Sequence, residues 1–162
     1  MDATDFLTRQ HRELEALLGR IADEKNPDAQ KALFARAADQ LTVHITGEEE
    51  LFYPAVKAKR TEDILLESLE EHLSLKRLLA DLLELEPSER TFEPKFKVLK
   101  EQTEHHHKEE EEHLFPKVRK LLDDAQRNAL GVQMLELQQR LQKAGEPRER
   151  VTNETDEAAP LS

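Results

Sequence analysis

The chain contains no cysteine. Disulfides, thiolate catalysis, iron–sulfur clusters and thiolate zinc sites are therefore excluded. Glycine occurs only four times and aromatic residues make up 4%. What remains is rich in Leu, Glu, Lys, Gln and Ala, the composition of an all-α protein. No apolar run approaches the roughly 20 residues of a membrane span. The start, MDATDFLTRQ, lacks a basic stretch followed by an apolar one, so no signal peptide is expected. Positive charge is the scarcer sign: 24 Lys and Arg stand against 35 Asp and Glu, a formal net charge of −11. An acidic surface repels phosphate backbones, so nucleic acid is not an expected partner. The expectation is a cytoplasmic protein that does not engage membranes.

With 162 residues there is room for one domain. Apolar spacing predicts five helices. The first runs from about Asp5 to Asp23, with Phe6, Leu7, Leu14, Leu17, Leu18 and Ile21 as its stripe. Asn26 and Pro27 break it, and the second runs from Asp28, a candidate N-cap, to about Ala58. Pro54 should kink that helix or end its regular part. The third spans roughly Glu62 to Leu85, the fourth Phe92 to Leu122 with Pro116 interrupting it late, and a shorter fifth Asp124 to Lys143. The reading is an up-down-up-down four-helix bundle over residues 1–144, with a short fifth helix. Residues 145–162 are nearly free of apolar anchors and read as a disordered tail.

The chain repeats itself. His11, Leu14, Leu17, Leu18 and Ile21 match His72, Leu75, Leu78, Leu79 and Leu82. Phe34, His44, Glu48, Phe52, Tyr53, Pro54 and Val56 match Phe96, His106, Glu110, Leu114, Phe115, Pro116 and Val118. A duplicated hairpin needs only its Leu and Phe to build a core. The repetition of His and Glu asks for a chemical reason.

His44 and Glu48 lie four apart on a face that also carries Leu41 and Phe52; His106 and Glu110 lie likewise beside Leu99 and Leu114. His11 is in line with Leu7, Leu14 and Leu18, and His72 with Leu69, Leu75 and Leu79. Four His and two Glu thus converge on one interior, where unpartnered polar groups are costly. Mutual hydrogen bonding is one way to satisfy them; a pair of metal ions is the other and serves all six at once. Imidazole and carboxylate without sulfur suit iron, with manganese or zinc ranked behind it. Of the triplet His105, His106 and His107, one residue is expected to face the core, and the repeat selects His106. His105, His107 and His113 read as solvent-facing, Glu49 and Glu112 as surface residues, and Tyr53, whose counterpart is Phe115, as a packing residue.

The segments HITGEEELFYP (His44 to Pro54) and HKEEEEHLFP (His107 to Pro116) resemble the paired H-x-x-x-E-E…F-P signatures of the haemerythrin-like, HHE cation-binding family. QHRELEALL (Gln10 to Leu18) and EHLSLKRLL (Glu71 to Leu79) are similar to its first- and third-helix motifs. The resemblance covers roughly residues 1 to 122. It implies two non-haem iron ions, oxo- or hydroxo-bridged, in a four-helix bundle. The implied ligands are His11, His44, Glu48, His72, His106 and Glu110, with Glu48 and Glu110 as bridges. Members of the family bind O2, sense redox state or NO, repair iron centres or decompose peroxide. The O2 carriers have a fifth His one turn after the third-helix His, where this chain has Lys76, which offers a metal no lone pair. Glu15 sits at the matching place in the first half and offers one further oxygen.

With two His per iron, each ion is expected to keep an open position. The expected function is reaction with small oxidants, foremost peroxide decomposition or O2/NO scavenging, in a monomer or weak homo-oligomer whose partner is a small diatomic molecule or peroxide. The alternatives are a non-enzymatic module that binds O2 or NO for storage or sensing, and a metal-free helical interaction protein.

Overall fold

The computed structural model describes all 162 residues. Its helices are α1 (Ala3–Asp23), α2 (Pro27–Gly47), α3 (the single turn Tyr53–Ala55), α4 (Glu62–Leu83), α5 (Phe92–Glu109), α6 (Phe115–Leu121) and α7 (Asp124–Ala144), with no strand. A five-residue π turn, Glu48–Phe52, joins α2 to α3, and a second, Glu110–Leu114, joins α5 to α6. The long rods α1, α2–α3, α4 and α5–α6 form the four-helix bundle. α1 packs on α2 and α4 on α5, and α1 also meets α5. At 21 residues α7 is as long as α1, so the fifth helix is not short. It covers α1 and α2.

Local chemistry sets the helix ends. Asp2 accepts a 2.7 Å hydrogen bond from the Thr4 amide, and Asn26 a 3.0 Å bond from that of Ala29. Asn26, not Asp28, is thus the second N-cap. Pro27 fills the first turn, where no N–H is needed, and Asp28 stands there as a charge favourable to the helix dipole. Pro54 and Pro116 disturb their helices as expected, but the disturbance is a π turn just upstream. Widening the helix relieves the clash of the proline ring with the carbonyl four residues back. Both π turns begin at a repeated Glu, Glu48 or Glu110.

Two apolar clusters fill the bundle. One holds Leu14, Leu17, Leu18, Phe34, Leu41, Leu75, Leu79, Phe96 and Leu99; the other holds Phe6, Leu7, Phe52, Tyr53, Leu65, Leu69, Leu114 and Phe115. Burial of each large side chain contributes about 1.5–3 kcal/mol. On α1 and α4 the repeated histidines fall between a residue of one cluster and a residue of the other. A polar layer therefore lies across the bundle, sealed at both ends.

The tail is ordered, contrary to the reading from composition. Gly145 (φ 88°) and Glu146 (φ 44°) turn the chain back, and the 3₁₀ helix Pro147–Asn153 lies against α2 and α4. Val151 is buried in the first cluster. Arg148 pairs with Asp39 at 2.9 Å, Lys76 with Glu154 at 2.9 Å, and Arg77 donates to the carbonyls of Thr155 and Asp156. Composition counts anchors but not their placement: Val151 docks in the first cluster, Ala158, Ala159 and Leu161 pack against the second, and Asp39, Lys76 and Arg77 supply the polar partners. The domain therefore does not end at residue 144. No helix is long and apolar enough to cross a membrane.

Candidate metal centre

The six residues singled out from the repeat meet in the polar layer. His11, His44, Glu48, His72, His106 and Glu110 are all buried. His11 Nε2 is 3.2 Å from Glu110 Oε1, and His44 Nε2 is 3.4 Å from Glu48 Oε1. His72 Nε2 is 3.1 Å from both Glu48 Oε1 and His106 Nε2. Ligand atoms of His11, His44, Glu48 and Glu110 all lie within 4.8 Å of one another, as do those of Glu48, His72 and His106.

Each ring is held from behind. His11 Nδ1 donates to Glu111 at 2.8 Å, His44 Nδ1 to Gln10 at 2.9 Å, His72 Nδ1 to Glu49 at 2.9 Å and His106 Nδ1 to Glu71 at 2.7 Å. These partners offer oxygen acceptors, so Nδ1 carries the proton and Nε2 turns its lone pair inward. The supports follow the repeat. Glu111 and Glu49 directly follow the inward glutamates, and Gln10 and Glu71 directly precede the histidines of α1 and α4. Glu49, read from sequence as a surface residue, is nearly buried, and Lys76 holds its other oxygen at 2.9 Å.

The structure adds two residues. His107, expected to face solvent, is 1% exposed and lies flat against His11, in a group with His11 and His44 whose ligand atoms fall within 4.8 Å. His106 faces α4 and His107 faces α1, because α5 packs between the two and buries an arc wide enough for adjacent residues. The available signal was the repeat itself: the counterpart of His107 is Ile45, an apolar residue, which is buried. Glu15 is not turned into the layer; it accepts from His107 Nδ1 at 2.8 Å and from Arg12. Tyr53 is more than packing. Its hydroxyl donates to Glu110 Oε2 at 2.6 Å and lies 3.3 Å from His72 Nε2. The ring stacks on His72 where Phe115 stacks on His11. His105 and His113 are exposed, as expected.

The electrostatics fit a cation. Burial, and then the charge of Glu110, push Glu48 well above the usual carboxylate range. Burial would raise Glu110 too, but the charge of His106 and the neighbouring Glu48 and His11 side chains hold it well below. Two carboxylates this close do not both ionise unless positive charge is supplied. Burial drives His44 well below its ordinary value, His72 lower, and His107 to about 4, so these imidazoles are neutral, the state that binds metal. His11 is the exception: burial lowers it, but Glu110 and Glu111 outweigh that and raise it. His11 Nε2, His44 Nε2, Glu48 Oε2 and Glu110 Oε1 are buried without a hydrogen-bond partner. Left so, such atoms cost on the order of 1–3 kcal/mol each. Four inward lone pairs on nitrogen and oxygen, with acidic support behind, are a donor set for divalent ions of the iron, manganese or zinc type.

The fold has a counterpart among known proteins. The profile described as Hemerythrin HHE cation binding domain matches residues 2–118. The crystal structure of a Hemerythrin HHE cation binding domain-containing protein from Mycobacterium kansasii is similar with a TM-score of 0.81 at 23% identity, covering 95% of this chain and 99% of that one. At that identity the likeness concerns the fold. A curated protein named DNA nickase, from Nostoc sp., is 26% identical over 126 residues, which are 78% of this chain. The match spans only 36% of that relative.

Proposed function

The chain belongs to the haemerythrin HHE cation-binding family, and on that premise we propose that it holds two iron ions and uses them to disproportionate hydrogen peroxide to water and O2. His11, His44 and His107 would hold one ion, His72 and His106 the other, with Glu48 and Glu110 shared between them. A pair of iron ions supplies a reversible two-electron change between its reduced and oxidised states. The remaining work belongs to the protein. Glu111, Gln10, Glu49, Glu71 and Glu15 fix the tautomer and direction of each ring. The apolar clusters above and below keep bulk water out.

The observation that carries this reading is the asymmetry between the two halves. The sequence alone leaves one open position on each ion. His107 would add a third imidazole on one side, whereas the other side has two imidazoles and the Tyr53 hydroxyl. The side left open would then be the side with a phenol. Burial and the charges of Glu110 and Glu48 push that phenol well above its ordinary pKa, so it keeps its proton. A peroxide arriving there would meet a proton donor fixed in place by its hydrogen bond to Glu110. The charge of −11 opposes a phosphate backbone, and the activity named for the Nostoc relative, matched over about a third of its length, is not part of this reading.

An oxygen electrode tests it. The iron-loaded protein with peroxide should evolve O2 well above free iron. Tyr53→Phe, which Phe115 shows to fit such a place, should keep both ions and lose about a hundredfold in rate, the scale of a general acid. The second reading is reversible binding of O2 or NO for storage, scavenging or sensing, favoured by the triple-imidazole cap that leaves one ion closed. Reversible uptake of O2 with no peroxide turnover above the free-iron control would select it.

A further inference from the structure

The residues of the centre are 0–2% exposed, yet an ion must reach them from water. Two clefts run side by side between α4 and the rod α5–α6 and share Glu67 and Glu71. The outer, of about 470 Å³, adds Glu70 and Glu101. The inner, of about 240 Å³, adds Glu109 and reaches Glu110 itself. Six carboxylates thus line one continuous groove, against a single lysine, Lys117, and the rim histidines His105 and His113.

The groove differs from an ordinary acidic patch in where it ends. Glu110, which the inner cleft reaches, is 1% exposed, and its Oε1, 3.2 Å from His11 Nε2, has no hydrogen-bond partner, so the groove ends at a residue that carries an unsatisfied ligand atom of the centre. Glu71, on the wall of both clefts, is the residue that holds His106. On the far side of the bundle the comparable cleft reaches only Gln10 and is lined mainly by amides, with Gln40, Gln138 and Gln142 beside Glu13. One face therefore offers a descending row of anionic oxygens, while the other offers neutral dipoles.

We propose that the α4/α5 groove is the path by which a hydrated divalent cation enters and leaves the centre, with Glu67 and Glu109 exchanging its water shell for carboxylate oxygens before Glu110 receives it. The proposal rests on the metal-centre reading. Carboxylate clefts between low-dielectric walls concentrate cations and raise their on-rates about 10- to 1000-fold, and the same field excludes anions. The lining makes the groove selective for cations over anionic oxidants.

Anaerobic stopped-flow mixing of Fe²⁺ with the full-length chain, stripped of metal by chelation, tests this. The double variant Glu67→Gln/Glu109→Gln should take up Fe²⁺ about tenfold more slowly than the wild type, reach the same two ions per chain, and lose most of the slowing by salt that the wild type shows. Release from the loaded protein into excess chelator should slow by the same factor, because entry and exit share one barrier. That second rate keeps the test decisive if the metal-free chain folds poorly. Glu13→Gln, at the far cleft, should change neither rate. Unchanged rates in the double variant, or equal slowing by Glu13→Gln, overturn the groove as the path while leaving the metal centre standing. A wild-type chain that binds no Fe²⁺ at all removes both.

Discussion

The imidazole of His107 lies flat on that of His11, with ring centres 3.8 Å apart and planes 9° from parallel. Two rings so placed present their edges to the same point. Each is backed by its own carboxylate, Glu15 for His107 and Glu111 for His11, and Arg12 bonds to both carboxylates. The arrangement has no equivalent in the other half, where Ile45 and Lys76 stand in place of His107 and Glu15.

His107→Ala should therefore weaken one of two ions by at least about tenfold, the scale on which even supporting residues act, and leave the second in place. His105→Ala, at an exposed position two residues away, should change nothing. Chelator competition followed by elemental analysis measures both. Equal retention in the two variants would remove His107 from the ligand set.

Glu49 and Glu112 look alike in the sequence and should behave differently. Glu112 is exposed, and Glu112→Gln should be neutral. Glu49 holds His72 and pairs with the buried Lys76. Glu49→Gln should lower metal affinity about 10- to 100-fold. It should also lower the melting temperature, since breaking one partner of a buried pair strands the other charge. Matching melting curves and metal contents would contradict the assignment.

Deleting residues 147–162 should destabilise the bundle by at least about 2 kcal/mol, from the burial of Val151, the packing of Leu161 and the lost ion pairs. The truncation uncovers the pocket of Val151 and removes Glu154 from Lys76. Urea unfolding measures it, and an unchanged midpoint would mean that the docked tail contributes nothing.

Asp2 gives a pH signature far from the centre. Burial alone would raise its pKa, but hydrogen bonds from Arg127 and Thr4 hold it below the ordinary 3.8. A group whose folded pKa is depressed adds stability above its unfolded pKa and loses it as pH falls through the folded value. Asp2→Asn should be less stable than the wild type at pH 7, with the gap closing below about pH 4. Urea midpoints across that range give the answer; a gap that stays constant or widens on acidification would show that Asp2 does not act through its charge.

Sequence by itself determined the helices and six inward residues. Apolar spacing locates the bundle because a buried helix face must be apolar every third or fourth residue, and the internal repeat exposes the exceptions, the histidines and glutamates a core does not need. What only the tertiary structure decided depends on neighbours distant in sequence. Whether His107 faces water or His11 depends on α5 being wedged between α1 and α4. Whether Glu49 is surface or support depends on His72 and Lys76, 23 and 27 residues on. Tyr53 becomes more than packing only because Glu110 arrives from another helix. The tail is ordered because Asp39, Lys76 and Arg77 meet it. A helical pattern specifies which arc of a rod is buried, but the partners that complete a buried polar group are chosen by packing, and no local spacing encodes them.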